Sequence, residues 1–346
     1  MHEGTLAIVR AKFVILCVAL LCGAIAAAAG PDATKEIKNG LVPADYAYQI
    51  PPGVTRREIT YFSDGQPCYA MIFFPKGYST SGKIPGVVLG QGWAGTHFAI
   101  EKYGARLAER GFVAMVIDYR GWGYSDGFVT LKERQKDNDD RVRVKTTKAD
   151  VIVKRTRLIP WKQIEDVRNA ISYLQGEPGV DPARIGLWAS STAGGNSIVV
   201  AAHDARVKAI AMQVPAISGR RSPKGPYELR GTQLEDAIVR SRTGQGAEME
   251  AGFTPRRTVD LETSQAAAEY RPFRFLKQVG PRPVLFIVAE HEQLFSNEDN
   301  AYAASKVLAG PTKVLEIPDI THFDIFTGEP FEQSANAAAE WFRQYL

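Results

Sequence analysis

The stretch of sequence that decides the fold is residues 186–195, which read GLWASSTAGG. An apolar run typical of a strand ends here and a helix-like segment begins. Such a sharp turn from strand to helix strains its central residue and leaves no room for large side chains two positions before and after it. Centring the turn on Ser191 places the small Ala189 and Ala193 at these positions, whereas centring it on Ser190 would place a tryptophan and a threonine there. The sequence therefore predicts Ser191 as a nucleophile and Ser190 as its neighbour.

The alternative is that residues 186–195 are only the Ser/Thr-rich start of a helix, since short motifs also occur by chance. The usual pattern of such turns has glycines where Ala189 and Ala193 stand. Alanine is only marginally larger than glycine, so this departure does not exclude the turn.

Around this turn, short apolar runs alternate with helical patterns. Apolar residues recur at helical spacing within residues 100–107 and 164–174. This alternation is typical of a parallel sheet with helices on both faces. The sequence thus predicts an α/β fold with a mostly parallel eight-stranded sheet. The candidate strands are residues 57–62, 67–74, 86–89, 112–118, 185–189, 207–214, 284–289 and 313–317.

Two polar stretches interrupt the alternation, and we interpret them as insertions into one domain of residues 30–346. Residues 130–158 carry a mixed-charge run followed by a basic alternating run, and a hairpin is one interpretation. Residues 218–280 are polar and helix-prone, and they favour a small cap over the carboxyl edge of the sheet, where caps shape substrate pockets. Solvated surface excursions are the alternative for both, and the favoured one for the basic run.

The order of three polar groups resembles that of a known superfamily. Ser191, an acid after the next-but-one strand and a late histidine follow one another as in α/β hydrolases. Residues 118–125, DYRGWGYS, also resemble a turn found in dienelactone-hydrolase-like enzymes and in the X-prolyl dipeptidyl peptidase and cocaine esterase group. The similarity extends from about Tyr61 to Leu346. It implies an α/β-hydrolase fold and a hydrolytic reaction, but it specifies the substrate poorly.

The resemblance assigns the general base to His322. This residue lies in the polar segment PDITHFD, residues 318–324, after the last predicted strand, where the family places its base. A neutral imidazole there can accept the proton of Ser191 and later protonate the leaving group. His291 is a weaker alternative.

The resemblance places the triad acid just after the strand predicted at residues 284–289. Glu292 stands three positions after the small Ala289, which matches the family's spacing with glutamate in place of aspartate, an accepted substitute. The longer arm of glutamate changes its reach, so Glu290 remains an alternative. A solvated surface carboxylate is the alternative for either residue.

The resemblance also implies an oxyanion hole built from two backbone N–H groups, those of Thr192 and of Trp93. The family loop commonly reads His-Gly, and Gln91 with Gly92 stand in its place here. Losing one oxyanion donor costs roughly 2.7 to 4 kcal/mol in comparable enzymes, so this loop is important. No role for Gln91 follows from the sequence.

The same loop also matches a dinucleotide-binding fingerprint, which favours a rival hypothesis of an oxidoreductase. Residues 90–95, GQGWAG, form a G-x-G-x-x-G between a strand and a helix, and Asp118 ends the next strand. Against this hypothesis, the bulky Trp93 stands where the backbone must approach a pyrophosphate, and two strands precede the motif. A third hypothesis is an inactive hydrolase fold retained for binding.

The first 29 residues have the features of a cleaved secretory signal. Arg10 and Lys12 precede an apolar run at residues 13–25, and four alanines at residues 26–29 follow it. We therefore expect a mature chain in the periplasm or secreted. An uncleaved anchor is the alternative, although the run is shorter than the roughly 20 apolar residues that a span needs.

Cysteine usage and charge exclude several classes of protein. Cys17 and Cys22 belong to the signal, so the mature chain keeps only Cys68 and can form no intramolecular disulfide. Cys68 falls in an apolar run, where a buried small hydrophobe is expected. The 42 Lys and Arg residues nearly balance the 38 Asp and Glu residues. Without a long block of one sign, the chain is not expected to bind nucleic acid.

Together these features predict a secreted serine esterase that needs no metal or other cofactor. It would form an acyl-enzyme through Ser191, His322 and Glu292. Carboxylic esters are the favoured substrates, and a peptidase of the prolyl-peptidase type is the main alternative. The expected partner is a small ester or a short peptide. The preferred acyl group, the alcohol and the oligomeric state do not follow from the sequence.

Overall fold

The computed structural model describes residues 47–93, 95–133, 148–155, 157–219, 231–243, 251–254 and 257–346. The expected signal and its cleavage site lie outside these residues, as do Cys17, Cys22 and parts of both proposed insertions. Within the described residues, no helix combines the length and the apolar character that crossing a membrane would require.

The core of the fold is one eight-stranded sheet. The strands described are β1 (Thr55–Ser63), β2 (Gln66–Phe74), β3 (Ile84–Gly90), β4 (Val113–Ile117), β5 (Phe128–Leu131), β6 (Val151–Lys154), β7 (Val180–Ser190), β8 (Val207–Gln213), β9 (Ala251–Thr254), β10 (Arg257–Val259), β11 (Val284–His291) and β12 (Thr312–Thr321). The order in the large sheet is β1-β2-β4-β3-β7-β8-β11-β12. The strands β1 and β2, and likewise β2 and β4, pair antiparallel, whereas the other neighbours pair in parallel.

Continuous apolar runs explain why the central strands form. Every residue of β4 is buried, and β8 has one exposed residue, Lys208. Strands covered on both faces by helices need such runs rather than alternating polarity. Each of the eight predicted strands corresponds to one strand of this sheet, which confirms the predicted fold class.

The helices cover both faces of the sheet. The helices described are α1 (Glu101–Glu109), α2 (Pro160–Gly176), α3 (Thr192–His203), α4 (Thr232–Arg242), α5 (Leu261–Glu269), α6 (Leu276–Val279), α7 (Ala303–Ser305) and α8 (Gly328–Tyr345). Side chains of α1 and α8 pack on one face, while those of α2 and α3 pack on the other. The helical spacing within residues 100–107 and 164–174 is confirmed by α1 and α2.

The two polar stretches contribute small separate sheets. Strands β5 and β6 pair antiparallel, and so do β9 and β10. Hydrogen bonds join the two stretches: Arg157 Nε lies 2.7 Å from Asp260 Oδ2, and the Leu158 N–H donates to Thr263 Oγ1 over 2.7 Å. That both stretches are insertions and that residues 218–280 form a cap stay predictions, because residues 134–147, 220–230 and 244–250 lie outside the described part.

Cys68 lies on β2 and is completely buried. Burial raises the pKa of its thiol to about 12. The prediction that it acts as a small buried hydrophobe is confirmed.

Candidate active site

Ser191 occupies a strained turn between β7 and α3. Its backbone has φ 55° and ψ −124°, and residues other than glycine rarely adopt such a positive φ. Such a conformation costs about 1–3 kcal/mol and persists only where the surroundings hold it. Here the Ser191 N–H donates to the Gln213 carbonyl over 2.9 Å, and its own carbonyl accepts from the Ala216 N–H over 3.0 Å.

Close packing around this turn explains the pattern of small residues. Ala189 and Ala193 are both 1% exposed, so neither position has room for a larger side chain. A Cβ atom on Gly194 would come within 2.6 Å of Pro215 Cβ. The turn is therefore centred on Ser191, and the hydroxyl of Ser190 is buried without a hydrogen-bond partner among the described residues.

Glu292 and His322 lie side by side at the carboxyl edge of the sheet. In the parallel pair β11 and β12, His291 is in register with Thr321, so the residues that follow each strand become neighbours. The carboxylate Oε2 of Glu292 lies 2.7 Å from His322 Nδ1, and both side chains are at most 4% exposed. The rings of Phe295 and Phe323 flank the imidazole edge-to-face. The structure thus brings together two of the predicted site residues.

The second carboxylate oxygen of Glu292 accepts the N–H of Leu294 over 2.8 Å. Both oxygens are therefore engaged, and this bond fixes the longer arm of glutamate. Glu290, the alternative acid, is exposed, and it accepts the Asp319 N–H over 2.9 Å instead. His291 is exposed as well. Among the described residues, His322 pairs with Glu292 and not with Glu290, while the ring of His291 lies 3.9 Å from Asp319 Oδ1.

The loop after β3 lies directly against the serine. A Cβ atom on Gly92 would come within 2.6 Å of Ser191 Cβ, so only glycine allows this approach. Gln91 is buried, and its amide donates to the Gly95 carbonyl over 2.8 Å, which closes the loop on itself. This bond gives Gln91 a structural role that the sequence did not reveal. Thr192 begins α3, where backbone N–H groups have no intrahelical acceptor.

Within the described residues, no hydrogen bond joins the Ser191 hydroxyl to His322. Such catalytic bonds are often long in a protein without substrate and tighten when substrate binds. Both residues follow parallel strands, and the carboxyl ends of these strands meet at one edge of the sheet.

A small apolar cluster adjoins this loop. Trp93 and Trp122 pack on the buried Leu158, apart from the two large cores. The indole N–H of Trp122 donates to the Arg157 carbonyl over 2.9 Å, which ties the cluster to the first polar stretch. An apolar surface therefore begins one residue from the glycine that contacts Ser191.

Sequence reasoning missed a buried network beside the site. His97 starts a short 3-10 turn before α1, and its imidazole Nδ1 lies 2.5 Å from Asp118 Oδ2. Asp118 is completely buried and also accepts two backbone N–H groups. Gly123 packs directly against this carboxylate, because a Cβ atom there would come within 1.9 Å of Asp118 Oδ2, but a single glycine in the sequence does not indicate such a contact.

This network contradicts the dinucleotide hypothesis. A cofactor ribose would need a free carboxylate at the end of the strand, but both oxygens of Asp118 already accept hydrogen bonds in the interior. Close packing, and not a cofactor, explains two glycines of the motif. A Cβ atom on Gly90 would clash with the Tyr119 hydroxyl, and one on Gly92 would clash with Ser191. The rival hypothesis of an oxidoreductase is therefore wrong.

Only one group of described residues has the arrangement to share a metal ion, namely Glu290, His291 and Asp319. All three are exposed, and exposed acidic groups are common without an ion. We assign them no role in the site.

The order of the sheet, with a strained serine turn after its fifth strand, defines an α/β hydrolase. Residues 64–273 match the X-Pro dipeptidyl-peptidase (S15) family. Because the match covers more than half of the chain, the protein belongs to this family and is a hydrolase. The resemblance inferred from residues 118–125 and from the order of the polar groups is confirmed.

Three known proteins are each similar to this chain over most of their own length. An uncharacterized 31.7 kDa protein of the traX-finO intergenic region of Escherichia coli is 25% identical over 292 residues, which cover 76% of this chain and 92% of the relative. The thiohydrolase apmlB of Arthrinium phaeospermum is 26% identical over 291 residues, 72% of this chain and 85% of the relative. The solved structure of Est1E from Butyrivibrio proteoclasticus with ferulic acid has a TM-score of 0.58 at 19% identity, covering 83% of this chain and 98% of that one.

Proposed function

We propose that this protein is a serine hydrolase that cleaves carboxylic esters, with Ser191 as nucleophile, His322 as general base and Glu292 as triad acid. The observation that carries the proposal is the buried Glu292–His322 pair, at 2.7 Å, on the sheet edge that also bears the strained serine. A carboxylate on Nδ1 selects the imidazole tautomer whose Nε2 can accept a proton.

In the proposed reaction the Ser191 oxygen attacks the ester carbonyl while His322 takes the serine proton. The N–H groups of Thr192 and Trp93 would stabilise the oxyanion that forms. His322 then protonates the departing alcohol, which leaves an acyl-enzyme. Water, deprotonated by His322, attacks the acyl-enzyme, and the protonated His322 returns this proton to the Ser191 oxygen as the acid leaves.

A peptidase is the second candidate, because the family takes its name from X-Pro dipeptidyl-peptidases. Esters are favoured because an alcohol leaves more readily than an amine, which demands better protonation. A panel of p-nitrophenyl esters and aminoacyl p-nitroanilides separates the candidates. We expect hydrolysis of the esters, and faster hydrolysis of the anilides would favour the peptidase. A folded protein inert toward both substrates and toward fluorophosphonate probes would instead be an inactive hydrolase fold.

Trp122→Ala is expected to change acyl preference. Trp122 belongs to the apolar cluster beside the serine loop, and an apolar acyl group packing there would lose roughly 50 Å² of contact, about 1.3 kcal/mol. Hydrolysis of p-nitrophenyl octanoate and benzoate should therefore fall about 10-fold in kcat/KM relative to acetate. Phe62→Ala is the matched control, since Phe62 is 66% exposed on the outer strand β1. Equal effects on all esters would show that the cluster does not contact the acyl group.

We also propose that the protein is exported and begins near Gly30 after cleavage. The apolar run at residues 13–25 followed by four alanines supports this proposal. N-terminal sequencing of the protein purified from its native cells is expected to start at Ala29, Gly30 or a neighbouring residue. A membrane-bound chain that still begins at Met1 would contradict cleavage and favour the anchor.

A further inference from the structure

A buried carboxylate sits at the far end of the loop that contacts Ser191. Asp118 follows β4, and its Oδ1 accepts the backbone N–H of His97 over 2.7 Å. Its Oδ2 lies 2.5 Å from His97 Nδ1 and accepts the Tyr124 N–H over 2.9 Å. One side chain thus binds the end of this loop and the following Gly121–Ser125 turn together.

The enclosure of His97 strengthens this attachment. The rings of Tyr69, Phe98 and Tyr124 surround the imidazole, with ring centroids 4.0–4.8 Å away. Its Nε2 lies 3.7 Å from Glu101 Oε1, and the other oxygen of this carboxylate, Oε2, accepts the Tyr48 hydroxyl over 2.8 Å. The imidazole therefore lies between two buried carboxylates and has one orientation.

The loop between β3 and His97 is consequently held at three places. Strand β3 fixes its start, the Gln91 amide fixes its middle through the Gly95 carbonyl, and Asp118 fixes its end. This loop includes Gly92, which packs so closely on Ser191 that no side chain fits between them. A shift at His97 would therefore move the backbone N–H groups next to the serine.

A buried ionic group contributes little to stability compared with apolar residues of similar volume. The benefit of the buried Asp118 carboxylate is geometric, because its hydrogen bonds define one arrangement of the loop and the turn that it binds. We propose that Asp118, acting through His97, is a positioning residue. It holds the loop between β3 and His97 where the backbone N–H of Trp93 can bind the oxyanion. This inference rests on the proposed ester hydrolysis and adds a residue to it.

Asp118→Asn tests the inference in the full-length protein. Asparagine keeps the shape of the aspartate side chain, but its NH₂ group replaces one of the two carboxylate oxygens. This group cannot accept a hydrogen bond from the N–H groups around it, so the loop loses part of its attachment. We expect kcat to fall about 10- to 100-fold, less than deleting an oxyanion donor outright. The KM should change less than about twofold, because the oxyanion exists only in the transition state.

Asp166→Asn is the matched control. Asp166 is also completely buried, and it pairs with Arg120 over 2.7 Å without contacting the loop. Both variants should lower the melting temperature, whereas only Asp118→Asn should lower kcat. Hydrogen exchange followed by mass spectrometry gives a readout without activity, since peptides covering residues 90–98 should exchange faster only in Asp118→Asn.

Should Asp118→Asn fail to fold, His97→Phe decides the question. Phenylalanine keeps the ring packing and the backbone donor but removes the Nδ1 contact, so a smaller loss of kcat and faster exchange of the loop are expected. An unchanged kcat in the folded variant, or an equal loss in Asp166→Asn, overturns the inference. If the wild-type protein hydrolyses no ester, the proposed function fails, and exchange of the loop alone then decides whether Asp118 positions it.

Discussion

Ser191→Ala is expected to abolish ester hydrolysis, lowering kcat by at least about 10⁴-fold, whereas Ser190→Ala should keep most of the activity. Only Ser191 stands at the strained centre of the turn, where a side chain is presented to substrate. The Ser190 hydroxyl is buried without a partner in the described part of the chain, so its removal leaves no new unpaired group. Steady-state kinetics with p-nitrophenyl acetate measures both losses.

The controls for this pair are folding and covalent labelling. Both variants should melt near the wild-type temperature, because neither removes a hydrogen bond seen in the structure. A fluorophosphonate should label the wild type and Ser190→Ala but not Ser191→Ala. The opposite pattern, an inactive Ser190→Ala with an active Ser191→Ala, would shift the nucleophile by one residue.

Glu292→Gln is expected to lower kcat about 10³-fold, while Glu290→Gln should have little effect. The amide that replaces Glu292 can present its NH₂ group to His322 Nδ1, which favours the wrong imidazole tautomer for proton transfer. A comparable amide substitution in a serine protease costs about 10⁴ in kcat. A loss approaching that size is expected here, because the Leu294 N–H holds one oxygen of Glu292 and so directs the NH₂ group of the replacing amide toward His322. The KM should change little.

Glu290→Gln is a close control, since Glu290 lies two residues away and is exposed, and its hydrogen bond among the described residues is to the backbone N–H of Asp319. Equal mild losses in the two variants would mean that neither glutamate is the triad acid. The search would then move to Glu298, Asp299 or the strand end near Pro215.

Much of the fold and of the site geometry could be predicted because the signals are local. Buried parallel strands require continuous apolar runs, and the tight turn at Ser191 requires small neighbours two residues away. The pairing of Glu292 with His322 was also accessible, since adjacent parallel strands of a known order end at the same edge.

The supporting contacts could not be predicted, since they join residues far apart in the sequence. Asp118 and His97 are 21 positions apart, and nothing in the local pattern of either residue specifies the other. The role of Gln91 was equally hidden, because its partner is a backbone carbonyl that depends on the conformation of the loop. In the polar stretches around residues 130–158 and 218–280, no apolar periodicity was available to define elements.

Cys68 provides the protein with its own reporter of local opening. It is the sole cysteine of the described residues, it is completely buried on β2, and its raised pKa leaves almost no thiolate at neutral pH. A thiol reagent can therefore modify it only while the sheet margin formed by β1, β2 and β4 is transiently open. The rate of alkylation under native conditions thus measures how often this margin separates, and it does so without a dye or any engineered probe.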